Sequence, residues 1–155
     1  MAKTDMDTIE PGHAGEGLRP VMPYLAFADD GQPYLQGSKC GACGQVFLGL
    51  RENCAKCTAR GQMADIALGT AGTLFSYTIV HRSLPGVHVP FISAIVDLDD
   101  GGTVKGNLLE IEPVPEAIRF GMPVRMVFRG AEIANSAGEG FIAHFFVPAD
   151  GENGQ

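Results

Sequence analysis

Tryptophan is absent from this chain of 155 residues, cysteine occurs only four times, and charged residues make up only 19%. Each shortage excludes something. No apolar run approaches the roughly 20 residues that a membrane-spanning helix needs, and the first residues lack the basic, apolar and small-residue regions of a secretory signal. The expected compartment is therefore the cytoplasm, with no membrane partner. Cations are outnumbered, 11 Lys and Arg against 18 Asp and Glu, for a net charge of −7. Phosphate affinity rests mainly on Lys and Arg, so this balance argues against nucleic acid as a partner. Catalytic constellations are scarce too. No serine sits in a nucleophile-elbow context. His81 and His88 have no carboxylate at motif spacing and read as solvent-facing residues at a strand end. His144, between Ala143 and Phe145, reads as a surface or interface residue opposite the core. Asp97, Asp99 and Asp100 have the composition of a solvated turn. The expected set of catalytic residues is empty.

What is present begins with those four cysteines. Cys40, Cys43, Cys54 and Cys57 form the run C-x2-C-x10-C-x2-C. Two such knuckles can bring four thiolates to the corners of a tetrahedron, the geometry of a closed structural Zn²⁺ site. Gly41 and Gly44 suit the sharp turn of the first knuckle. The second, Cys54-Ala55-Lys56-Cys57-Thr58, has no glycine until Gly61 and is expected to be the less regular. Two disulfides and an iron–thiolate centre are the competing readings, disulfides being disfavoured in a reducing compartment. With all four thiols ligated, none remains as a nucleophile. The same region concentrates positive charge, with Lys39, Arg51, Lys56 and Arg60 against Glu52 alone. These cations either serve an anion or offset the charge of a metal with four thiolates, about −2.

Glycine at 21 and proline at 10 indicate many turns and short strands. Residues 1–17 read as a polar tail, 18–62 as an N-terminal segment with the ribbon, 63–148 as a barrel and 149–155 as a second tail. Tyr24 to Phe27 is an apolar patch too short for a helix and expected to dock elsewhere. Strands are expected from Leu74 to Arg82, Phe91 to Leu98, Thr103 to Leu109, Pro123 to Phe128 and Phe141 to Val147. Asp99-Asp100-Gly101-Gly102 is the hairpin between the second and third. Gly106 is expected to mark a bulge or bend, and Pro113 to Gly121 a connection with at most one helical turn. Inward positions alternate as Ile92, Ala94, Val96 and Leu98, then Val124, Met126 and Phe128. That assignment places Arg125, Val127, Arg129, Ile142, His144 and Phe146 on outer faces. Together with Tyr24, Leu25, Phe27, Phe47 and Leu48, they suggest apolar patches for a partner protein. Five short strands with a central hairpin fit a small closed barrel of the oligonucleotide/oligosaccharide-binding (OB) type, with an open sandwich as the alternative. The fold class is mainly β, a rubredoxin-like zinc ribbon followed by a five-stranded OB barrel.

Several segments in this order resemble a bacterial and archaeal family of acyl-CoA-associated proteins that carry a rubredoxin-like zinc ribbon ahead of an OB barrel. They are Cys40-Gly41-Ala42-Cys43-Gly44, Cys54-Ala55-Lys56-Cys57, Gly72 to Arg82, Pro90 to Asp99, Gly106-Asn107-Leu108 and Gly121-Met122-Pro123-Val124. The likeness covers residues 33 to about 148. The chain departs from the family in the proline-broken stretch Pro20 to Pro33, where a helical aromatic-rich segment is usual. It departs again at Cys57-Thr58, where Cys-Gly is usual. The resemblance implies a small non-catalytic partner of thiolases or thiolase-like hydratases and aldolases. It implies a structural zinc ion, a hetero-oligomer with two copies of each subunit, and a CoA thioester bound by the assembled complex. The family's substrates range over acetoacetyl-, steroid side-chain and aromatic acyl-CoA compounds, including benzoylsuccinyl-CoA. On that reading Arg51, Lys56, Arg60 and Lys39 are candidates for the CoA phosphates, with Arg51 first because its planar fork suits bidentate contact. The alternative from another class is a stand-alone module for single-stranded nucleic acid, since ribbon and barrel occur together there too.

Overall fold

The computed structural model describes residues 18–134 and 140–149. The tails expected at 1–17 and 149–155 fall outside that range except for Ala149. Among the described residues ten strands follow one another: β1 (Arg19–Pro20), β2 (Leu25–Phe27), β3 (Pro33–Cys40), β4 (Val46–Leu48), β5 (Met63–Ala67), β6 (Ala71–Val80), β7 (Phe91–Leu98), β8 (Thr103–Leu108), β9 (Pro123–Ala134) and β10 (Gly140–Pro148). They form two sheets, and the described residues contain no helix. Among the described residues no helix is therefore long and apolar enough to cross a membrane.

The larger sheet closes on itself. β10 lies beside β8 in parallel, β8, β7 and β6 follow as an antiparallel meander, and β9 joins β6 to β10. Closure pairs the start of β6 with β9 and leaves less sheet edge facing water, and this order is that of the expected OB barrel. The alternating β7 residues Ile92, Ala94, Val96 and Leu98 are all buried, as their period of two requires. Leu74, Val104, Leu108, Val124, Met126, Ile142 and Phe146 complete the interior, and Ile118 enters it from the connection between β8 and β9. That connection contains turns, with Ala117 N–H bonded to Val114 O at 3.1 Å, within the expectation of at most one helical turn.

The outer-face assignment for the last strand is overturned. Ile142, His144 and Phe146 point inward, at 0%, 6% and 0% exposure. Directly opposed residues share a face, and β9 pairs Phe128 with His144 and Met126 with Phe146. The inward set of β9 therefore dictates that of β10. In isolation Phe141 to Val147 offers two apolar alternations, and the polar imidazole misleads the choice. Val127 and Arg129 do lie on the outer side of β9, yet both are buried, and Arg129 pairs with the Glu110 carboxylate. Leu25 is buried as well, while Tyr24, Phe27 and Leu48 pack against the core, so they form no free apolar patch.

Gly106 is also corrected. The β7–β8 register runs without interruption from Ile92↔Leu108 to Asp97↔Thr103, so no bulge lies there. A Cβ on Gly106 would sit 2.9 Å from Phe146 Cε2, so the glycine serves close approach of a strand to an aromatic ring. Register shifts instead lie in β6, between Leu74 and Ser76, and in the β9–β10 pair, between Gly140 and Phe141.

The smaller sheet is built around β3, which pairs with β2, β4 and β5. It meets the barrel at the Asp99–Gly102 hairpin. Asp100 accepts hydrogen bonds from Gly69 N–H at 2.7 Å and Gly102 N–H at 3.3 Å, while Val46 lies 3.4 Å from where a Gly102 Cβ would be.

Candidate metal centre

Cys40 ends β3 and Cys43 lies in the turn that leads into β4. Cys54 and Cys57 lie on the loop before β5. The four sulfurs all fall within 4.8 Å of one another. Cys40 Sγ is 3.7 Å from Cys57 Sγ, and Cys43 Sγ is 3.6 Å from Cys54 Sγ. A tetrahedral ion with metal–sulfur bonds of about 2.3 Å sets sulfur–sulfur edges of about 3.8 Å, whereas a disulfide requires about 2.05 Å. The thiols are free, and the spacing is that of a metal site.

The two knuckles are built alike, against the expectation that the second is irregular. Gly44 N–H donates to Cys40 O at 2.9 Å, and Thr58 N–H donates to Cys54 O at 3.0 Å. Cys40 N–H reaches Gln45 O, and Cys54 N–H reaches Ala59 O, in the same pattern. Gly44 has φ +78°, and Thr58 takes its place with φ +64°. A β-branched residue rarely adopts that backbone, so tertiary context holds the strained turn in place.

Backbone N–H groups prepare the sulfurs for a cation. Cys54 Sγ accepts from the N–H groups of Cys57 and Lys56, each at 3.4 Å. These bonds, that of Cys57 first, lower its pKa to about 6 despite the opposing effect of burial. Cys40 is lowered chiefly by the Cys43 N–H. At Cys57 the Ala59 N–H pulls downward, but desolvation and the neighbouring thiol groups outweigh it and raise the pKa to about 11. Four sulfurs this close cannot all hold negative charge unaided, and a divalent cation relieves that repulsion. The donor set and its N–H bonds fit a closed four-thiolate Zn²⁺ site.

Ser38 is a residue that sequence reading passes over. It is fully buried in β3, donates its hydroxyl proton to Gly49 O at 2.8 Å and accepts from Arg51 N–H at 3.0 Å. It thereby straps the inter-knuckle loop to the sheet. A polar residue amid the strand of a cysteine ribbon was the available signal. The Arg51 guanidinium lies over the Phe47 ring, 4.7 Å from its centroid, a cation–π arrangement that leaves the residue exposed. Lys39, Lys56 and Arg60 are exposed too. His81 and His88 are solvent-facing, as expected. His144 is inside the barrel, where its Nε2–H donates to Lys105 O at 2.8 Å and its buried Nδ1 has no partner. Burial, partly offset by that bond, lowers its pKa.

Comparison with known proteins places this architecture. Residues 65–129 match the family described as ChsH2, C-terminal OB-fold domain. A DUF35 domain-containing scaffold protein of Methanothermobacter thermautotrophicus is 30% identical over 114 residues, covering 72% of this chain and 83% of that protein. The benzoylsuccinyl-CoA thiolase subunit BbsA of Geobacter metallireducens is 32% identical over 80 residues, 52% of this chain and 53% of the subunit. Among solved structures, an Ltp2-ChsH2(DUF35) aldolase chain superimposes with a TM-score of 0.55 at 25% identity, covering 74% of this chain and 84% of that one.

Proposed function

The chain belongs to the DUF35 family, and on that premise we propose that it is the non-catalytic, zinc-binding subunit of a thiolase-type or thiolase-like hydratase or aldolase complex acting on acyl-CoA thioesters. The observation that carries this reading is the gathering of all four cysteines into one metal-binding cluster. Thiolysis needs an activated nucleophile, and this chain has no thiol to spare. Relatives that are a thiolase subunit and part of an aldolase support the same class. Cys40, Cys43, Cys54 and Cys57 would hold Zn²⁺, whose role here is to organise the ribbon.

The ribbon is the part of the chain suited to the nucleotide end of CoA. Its exposed cations Lys39, Arg51, Lys56 and Arg60 stand in an otherwise acidic chain. Arg51 is the best placed of them. Its backbone is fixed by Ser38, and its exposed guanidinium lies over the Phe47 ring, 4.7 Å from the centroid, where its N–H groups can reach a phosphate. The test is purification of the tagged chain from its own cells, followed by thiolysis assays. A thiolase-type protein should accompany it, and the separated chain, zinc-loaded, should cleave no CoA thioester. Turnover by the isolated chain, or the absence of any thiolase-type partner, overturns the proposal.

A further inference from the structure

β6 is the strand on which the barrel closes, and its two edges are used unequally. Toward β7 it is paired from Gly72 to Val80. Toward β9 it is paired only from Ala71 to Thr73, and Leu74 then bonds to Gly121 and Met122. From Phe75 to Val80 the second edge has no backbone partner among the described residues. Six residues make about 20 Å of open ladder, the length of an ordinary strand. Proteins usually blunt such an edge with lysine, proline or covering chain. Phe75-Ser76-Tyr77-Thr78-Ile79-Val80 carries neither residue type nor any charge, and its bulge lies only at the start of the stretch.

The surroundings are apolar and basic. Phe75 is 63% exposed, Phe120 is 70% exposed and leans on Tyr77 with ring centroids 5.3 Å apart, and Leu84 is 76% exposed. The loop from His81 to Pro90 is exposed throughout, adds Val87 and Val89, and carries His81, Arg82 and His88 without a carboxylate. Unpaired N–H and C=O groups select an extended polypeptide as occupant, since only a main chain satisfies a row of both. Arg82, with no carboxylate beside it in the loop, and the two imidazoles favour one with acidic residues. A second copy of this chain, at −7, is disfavoured by like charge.

We propose that the Phe75–Val80 edge is the docking strand for an extended, acidic segment of the catalytic subunit, which adds to the barrel as a further strand while Leu84, Val87 and Val89 pack against its apolar side chains. This rests on the subunit reading given above. The experiment compares backbone hydrogen exchange in the free chain and in the complex purified from its own cells, with Thr78→Lys and Thr73→Lys variants alongside. Thr73 lies on the same strand where the edge is already taken by β9. Within 75–80, the amides that point away from β7, every second one, should slow at least tenfold in the complex. Thr78→Lys should lower recovery of the thiolase-type subunit at least tenfold, and Thr73→Lys should leave it unchanged. A thiolase-type partner with unaltered exchange at 75–80 overturns the docking site and leaves the subunit reading standing. No thiolase-type partner at all overturns both. A dimer of the free chain in sedimentation, dissociated by Thr78→Lys, overturns the choice of occupant. The exchange measurement uses the wild-type chain, so a misfolded variant does not blunt the test.

Discussion

Removal of the Ser38 hydroxyl tests whether the inter-knuckle loop is held by one buried side chain. Ser38→Ala deletes two hydrogen bonds, at 2.8 Å to Gly49 O and 3.0 Å from Arg51 N–H, and changes little else in volume. Each bond is worth about 0.5–1.5 kcal/mol net, and more where the abandoned partner stays away from water. Gly49 is half-buried and Arg51 exposed, so water re-satisfies part of the loss. A cost of about 2 kcal/mol follows, and at 1.4 kcal/mol per decade it raises the open fraction of the loop roughly 30-fold. The assay is transfer of zinc from the folded protein to a chromogenic chelator, with metal content checked beforehand. The variant should bind one zinc ion and release it about 30-fold faster. Arg51→Ala serves as the contrast, because Ser38 holds its main chain. It should leave the release rate near wild type while raising the apparent KM of the assembled complex for its CoA thioester roughly tenfold, with a smaller effect on kcat. Release from Ser38→Ala within twofold of wild type would refute the strap.

Thr58→Gly should relieve the positive-φ strain of the second knuckle and stabilise the zinc-loaded ribbon by up to about 1 kcal/mol, read as slower metal release. Gly72→Ala should be among the costliest single changes in the barrel. Its Cβ would meet Asp97 O at 2.6 Å and Val96 Cγ1 at 2.8 Å, a clash worth about 1–3 kcal/mol or more in thermal unfolding. Gly130→Ala, with a nearest contact of 3.9 Å, should be near neutral. His144 is held neutral by burial, its folded pKa below the ordinary value of 6.5. The unfolded chain therefore takes up the proton first, and stability should fall as pH drops below 6.5 toward the folded pKa. His144→Leu should flatten that slope in denaturant titrations of the zinc-loaded protein, and an unchanged slope would remove His144 as its source.

Much of the fold was legible because its signals are local. The cysteine spacing identifies two paired knuckles that gather into one cluster, and the β7 alternation with the Asp-Asp-Gly-Gly turn identifies a hairpin and its buried face. Pairings distant in sequence were not legible. The face of β10 depends on its register against β9, so Ile142, His144 and Phe146 turned inward. Gly106 looked like a bulge because a lone strand cannot show the Phe146 ring lying over it.

The sequence by itself determined the paired cysteine spacing, the acidic balance and the succession of strands, since each is a matter of composition or of neighbours along the chain. Only the tertiary structure decided that Thr58 adopts the backbone of a glycine, that Ser38 anchors Arg51, and that barrel closure leaves Phe75–Val80 with an open edge. These depend on which atoms of distant segments come within reach of one another, and closing the chain into a barrel brings them there.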